Sequence, residues 1–207
     1  MNIFHDNLKR LALCDQDLVA AVKSVAGGVL TIEPSRGSVP SARRSGRWVH
    51  SAYDPLREAQ TWADTHAPSC QAGETVVVAG VGLLYHVEAL RKMLAPDVSL
   101  AVLIPNLDEL HDVLAARPLE AWSEHILWLS GSPTEIADTL TRTGHPIRCL
   151  SYTPATVWDT DFHRAIEDAL RRGLSHKAGG QLTIALVGPI YGGSLPIAGY
   201  VKRALET

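Results

Sequence analysis

Apolar residues recur near the start of the chain at helical spacing: Leu8, Leu11, Leu18, Ala21, Val22 and Val25 fall three, four and seven positions apart. That period places them on one face of a helix over residues 7–25, which Gly27 and Gly28 end. Residues 29–33 alternate and are rich in β-branched side chains, so a strand is expected there, stopped at Pro34. The segment 35–47 is Ser, Gly, Pro and Arg with few apolar anchors and reads as a loop, leading into a short extended piece at Trp48 and Val49. Asp54-Pro55 is a helix start, an acceptor for free amides followed by a ring with no N–H to lose, and this helix runs to about residue 67.

The pattern then becomes regular. Short apolar runs at 75–79, 98–104, 126–129 and 147–152 alternate with amphipathic stretches ending near 94 and spanning 107–116, 133–142 and 161–174. Strands that are apolar on both faces need cover on both faces. The expected architecture is therefore a Rossmann-like open, mainly parallel α/β sheet with helices on both faces, plus a small N-terminal helix and strand extension. The chain divides into that extension (1–50), the Rossmann-like domain (51–176), and a C-terminal piece (177–207). The last comprises a linker, a strand at 183–187 and a helix at 196–206. It is either the final unit of the sheet or the first unit of a further domain.

Composition narrows the class. With 207 residues, 46 % of them hydrophobic and 20 % charged, the chain is globular rather than disordered. A net charge of −3 argues against a nucleic-acid or membrane partner. Cys14, Cys70 and Cys149 form no close pair, so neither a disulfide framework nor a thiolate metal site is expected, and a reducing cytoplasm is. No apolar run approaches the roughly 18 residues of a membrane span. His86 and His111 have no second ligand at metal spacing and read as packing or surface residues; Cys149 reads as inert core. Asp159, Asp161 and His163 read as a cap and a solvated first turn, and Arg36, Arg43, Arg44 and Arg47 as a solvated loop.

Three stretches could carry chemistry. The first, Gly80-Val81-Gly82-Leu83-Leu84-Tyr85-His86, lies between a buried strand and a helix, where glycines let a ligand approach and helix amides meet an anion. A dinucleotide fingerprint needs a further glycine at Tyr85, and a methyltransferase loop needs one at Leu84. The next strand ends at Ile104, where ribose binding needs a carboxylate. NAD and S-adenosylmethionine are disfavoured accordingly. The second stretch, Trp48 to Ala59, packs His50, Ser51, Tyr53 and Asp54 before a capped helix, as either a cleft wall or an anchoring cluster. The third, Gly188 to Pro196, could cradle a phosphate or sugar with Gly192, Gly193 and Ser194, though it lacks the Lys of a Walker loop. The candidate binding residues are thus Gly80, Gly82, Tyr85 and His86, with His50, Tyr53 and Asp54, and Gly192, Gly193 and Ser194.

Two resemblances follow from these residues. Thr31-Ile-Glu-Pro-Ser-Arg-Gly, His50-Ser-Ala-Tyr-Asp-Pro-Leu-Arg-Glu-Ala and Gly80-Val-Gly-Leu-Leu-Tyr-His resemble, in order and spacing, the N-terminal region of the Maf family, motility-associated proteins linked to flagellin glycosylation. The stretch departs at Leu84, where the family has glycine, and at Ile104, where an acidic residue is usual. Ala185-Leu-Val-Gly-Pro-Ile-Tyr-Gly-Gly-Ser-Leu-Pro-Ile-Ala is similar to the opening of CgeB-like GT-B glycosyltransferases over about 25 residues. Together they imply an accessory or substrate-presenting domain of a bacterial protein glycosyltransferase, not catalytic alone, whose body would continue past Thr207. The implied partners are an acceptor protein such as flagellin, a nucleotide-sugar for the full-length protein, and a second copy of the chain. The alternatives are a methyltransferase-like domain using S-adenosylmethionine and a stand-alone nucleotide-sugar binder.

Overall fold

A computed structural model describes residues 2–176 and 184–187, with side chains to residue 172. Two short helices open the chain, α1 (Ile3–Leu11) and α2 (Gln16–Lys23), where the apolar period alone predicts one. Asp15 explains the break. Its carboxylate accepts from the Leu18 amide and caps a new helix instead of continuing the old one. A three-stranded antiparallel sheet follows, β1 (Leu30–Pro34), β2 (Pro40–Arg44) and β3 (Arg47–Trp48). The predicted loop is thus largely a hairpin. Ser45 and Gly46, both at positive φ (49° and 78°), make the two-residue turn between Arg44 and Arg47.

Helix α3 (Pro55–His66) starts as expected, with Asp54 capping the Arg57 amide and Pro55 in the first turn. Then come β4 (Thr75–Ala79), α4 (Tyr85–Met93), β5 (Ser99–Leu103), α5 (Leu107–Ala116), β6 (Ile126–Leu129), α6 (Pro133–Arg142), β7 (Ile147–Ser151), α7 (Thr153–Thr156), α8 (Thr160–His176) and β8 (Ile184–Val187). The second sheet is parallel, in the order β6-β5-β4-β7-β8. The fold is α/β with a Rossmann-like parallel sheet.

The alternation of the strands divides the interior into two cores. Val76, Val78, Leu100, Val102 and Leu150 join the core with α4, α5 and the N-terminal helices, while Val77, Ala79, Ala101, Leu103 and Cys149 join α6 and α8. Most residues of β4, β5 and β7 therefore meet cover on whichever face they point to, which is why these runs carry no polar alternation. Arg148 is the exception on β7. It pairs with Glu74 through two hydrogen bonds of 2.7 and 2.8 Å at the bottom of the sheet.

Successive connections from β4 run to β5 on one side and reach β7 on the other, so the strand order reverses between β4 and β7. In open α/β sheets that reversal opens a crevice at the carboxyl ends of the strands. The α3 helix and the segment before it are packed there against α4.

Candidate functional site

The glycine loop and the segment before α3 meet at the reversal point. Gly80 and Gly82 adopt positive φ of 100° and 49°, and a side chain at either would collide. A Cβ on Gly80 would lie 2.9 Å from the Tyr152 carbonyl, and one on Gly82 only 2.7 Å from His50 Nε2. The glycines are required here, but by the protein's own packing. The Leu83 amide donates to His50 Nε2 at 2.9 Å, and the Gly82 amide to Glu109 Oε1 at 3.2 Å. Two amides that could face a ligand's phosphate are thus held by a buried imidazole and a buried carboxylate.

Donor counting fixes the rest of the chain of contacts. Because His50 Nε2 accepts, Nδ1 carries the hydrogen and donates to the Tyr152 hydroxyl (2.8 Å), which donates onward to Glu58 Oε2 (2.8 Å). The Ser51 amide donates to the same oxygen at 2.8 Å. Burial pushes the His50 pKa down, against the pull of Glu58, so the ring is neutral. At Glu58 burial opposes charge, yet the adjacent His50 ring and the hydrogen bonds from the Ser51 amide and Tyr152 outweigh it and hold the carboxyl below its usual range. Burial raises the Tyr152 hydroxyl beside that carboxylate. His86 completes the cluster, its ring stacked on Tyr152 at 3.9 Å and its Nε2–H donated to the Gly80 carbonyl at 2.9 Å.

A second network braces the loop from behind. Arg44, expected in a solvated loop, is half-buried instead. It donates to Glu109 Oε2 at 2.7 Å and to both oxygens of Asp159, with Trp158 under its guanidinium. Burial, opposed by Arg44, pushes the Glu109 pKa up to about 7. Asp159 is therefore an ion-pair partner, and His163 is buried rather than solvated. Burial lowers the pKa of His163 to about 4.

In front of the cluster lies an open cleft of about 570 Å³, walled by α3 and the end of β7, with Tyr53, Asp54, Glu58, Trp62 and Tyr152 among its lining residues. The predicted site residues therefore separate. Tyr53 and Asp54 line the cleft, while His50, Gly80, Gly82 and His86 stand behind it. Tyr85 faces elsewhere, its hydroxyl on the Pro40 carbonyl (3.0 Å) and its ring under Arg117. Gly192, Gly193 and Ser194 lie outside the described residues. Ile104 is buried in the core, so no carboxylate stands at the end of β5.

Sequence reasoning passed over Glu58, Trp62, Tyr152 and Glu109 as site residues. Tyr152 carried a usable signal, because it ends the strand that parallel order places beside β4. Glu109, in the first turn of a helix, carried none. Among the described residues no group of three or more His, Cys, Asp or Glu could hold a metal ion, and no helix is long and apolar enough to cross a membrane.

Comparison with protein-family models, curated proteins and solved structures found no match to this chain.

Proposed function

We propose that the chain is an accessory module of a bacterial protein glycosyltransferase that presents an acceptor protein such as flagellin and does not itself perform the transfer. One observation carries this reading: the Gly82 and Leu83 amides are taken by Glu109 and His50 of the same chain. A catalytic Rossmann-like loop keeps those donors for a pyrophosphate or cofactor. Here an incoming phosphate would have to displace a carboxylate and an imidazole that is braced in turn by Tyr152 and Glu58. The buried Ile104 adds to the case, since it offers a ribose no acceptor. What remains for recognition is the open cleft and the outer surface, the equipment of a presenting module.

The reversal of strand order favours a second reading, a methyltransferase-like domain, because S-adenosylmethionine would occupy that crevice. Calorimetric titration separates them. The accessory reading expects no micromolar binding of S-adenosylmethionine, NAD, or UDP-, GDP- and CMP-sugars, and measurable association with flagellin. A cofactor present at a hundred times its dissociation constant would stabilise the chain by about 2.7 kcal/mol in a parallel melt. Such stabilisation by S-adenosylmethionine would establish the second reading, and by a nucleotide-sugar a stand-alone binder.

A further inference from the structure

The cleft shares Glu58 and Tyr152 with the loop's internal network, and most of its remaining wall comes from α3 and the segment before it. Glu58 is held as a carboxylate, and the Ser51 amide and the Tyr152 hydroxyl both donate to Oε2, with His50 Nδ1 3.4 Å from the same oxygen. Oε1 has no hydrogen-bond partner among the described residues and belongs to a half-buried side chain lining the cleft. Thr61 and Thr65 donate their hydroxyl hydrogens to backbone carbonyls at 2.9 and 2.8 Å, so towards the cleft they offer acceptor lone pairs. Trp62 and Tyr53 supply aromatic surface. Arg36 lies over the Tyr53 ring, 4.6 Å from its centroid, leaving the opposite face. The charged lining is Asp54 and Glu58 against Arg57, a balance that opposes an anion.

We propose that this cleft binds a single uncharged or amine-bearing sugar ring. Such a ring carries hydroxyl donors around its rim, which suit an acceptor-rich wall, and an apolar C–H face, which suits tryptophan and tyrosine. The carboxylate Oε1 takes one or two ring hydroxyls in charge-assisted hydrogen bonds. The volume of about 570 Å³ lies within the roughly 300–1,000 Å³ typical of small-molecule sites. The inference deepens the accessory reading and rests on it for the choice of sugars as ligands. Its ligand would contact the cleft side of α3, not the Gly82 and Leu83 amides, so the two can fail separately.

The test is a nuclear magnetic resonance titration of the whole chain with D-glucose, D-glucosamine and N-acetyl-D-glucosamine, with D-glucuronate as the anionic counterpart. Binding shifts the Trp62 indole N–H and the amides of α3 in a saturable way. Glu58→Gln weakens it by roughly tenfold, the loss of one charge-assisted bond. Thr61→Arg, an exposed helix position whose new side chain fills the cleft, abolishes it with the rest of the spectrum unchanged. This variant carries the test if Glu58→Gln disturbs folding. Absence of α3 shifts with all three uncharged or amine-bearing sugars overturns the proposal, as does binding unaffected by Thr61→Arg or tighter binding of glucuronate than of glucose. Saturable sugar binding alongside micromolar cofactor binding would leave the cleft assignment standing and remove the accessory reading.

Discussion

Leu84 shows how one residue can satisfy two conflicting demands. It stands where the glycine loop turns into α4, at φ 62° and ψ 10°, a left-handed conformation costing a side-chain-bearing residue about 1–2 kcal/mol. Its side chain is fully buried in the larger core, which contributes about 1.5–3 kcal/mol and holds the strained backbone in place. Truncation separates the terms. Leu84→Ala loses the burial and keeps the strain, whereas Leu84→Gly loses the burial and relieves it. Denaturant melts should therefore find Leu84→Ala destabilised by about 2–4 kcal/mol and Leu84→Gly no worse, the reverse of the order inside a helix. A clearly less stable glycine variant would show that the strain is small. Asn7 on α1 poses a simpler case. Buried, it donates to the Leu114 and Arg117 carbonyls at 2.8 and 2.7 Å and accepts from the Leu119 amide at 2.7 Å, closing the end of α5. Asn7→Ala strands three backbone groups and should cost about 2–4 kcal/mol by the same measurement.

At the scale of elements, the parallel sheet was legible because its strands are apolar without interruption and their helices have ordinary caps, such as Asp54-Pro55 and the Ser132–Glu135 capping box. The hairpin of β2 and β3 was not legible. Its strands read Pro-Ser-Ala-Arg-Arg and Arg-Trp, with no apolar alternation, because the buried positions are Ser41 and Ala42 and the arginines are half-buried or exposed. Arg43 stacks on Trp48 at 3.9 Å, and Arg44 pairs with Asp159 and donates to Glu109, so charged side chains fill places usually taken by apolar ones. The site was half legible for the same reason. Its glycines and polar cluster are visible in sequence, but the partners that fill the loop, Glu109 and Tyr152, come from other units of the fold. The hairpin turn provides a check on this account. Ser45 at φ 49° and Gly46 at φ 78° match the turn that favours Asn-Gly. Ser45→Asn should raise stability by about 0.5 kcal/mol, visible as a higher melting temperature. A loss would mean that the Ser45 hydroxyl contributes to the turn.

For the whole molecule, the N-terminal helices are integral to the sheet's cover. α1 and α2 pack on α5, and the Gly27–Gly28 turn is tied to the same helix, the Gly28 and Leu30 amides donating to Asp112 at 2.7 Å each. Local titrations therefore register in global stability. Two kinds of buried group act with opposite sign. His50, His86 and His163 are held neutral with lowered pKa values, His163 at about 4. Below their ordinary value of about 6.5 the unfolded chain binds protons that the fold refuses, so their contribution is complete above pH 6.5 and lost as pH falls. Glu109, raised to about 7, holds a proton in the fold that the unfolded chain releases near its ordinary value of about 4.5. Its contribution is complete below that value and lost as pH rises towards 7. Each pKa unit is worth about 1.4 kcal/mol, so the Glu109 effect is on the order of 3 kcal/mol. Urea melts from pH 4.5 to 8 should separate the two. In Glu109→Gln, which keeps a hydrogen-bonding side chain behind Gly82 but cannot titrate, stability should climb more steeply from pH 4.5 to 7 than in the wild type, because the opposing Glu109 contribution is gone. The difference between the two curves should flatten above pH 7. Parallel profiles across that interval would show that Glu109 stays ionised beside Arg44, and the loop would then be braced by a full ion pair at every pH of the series.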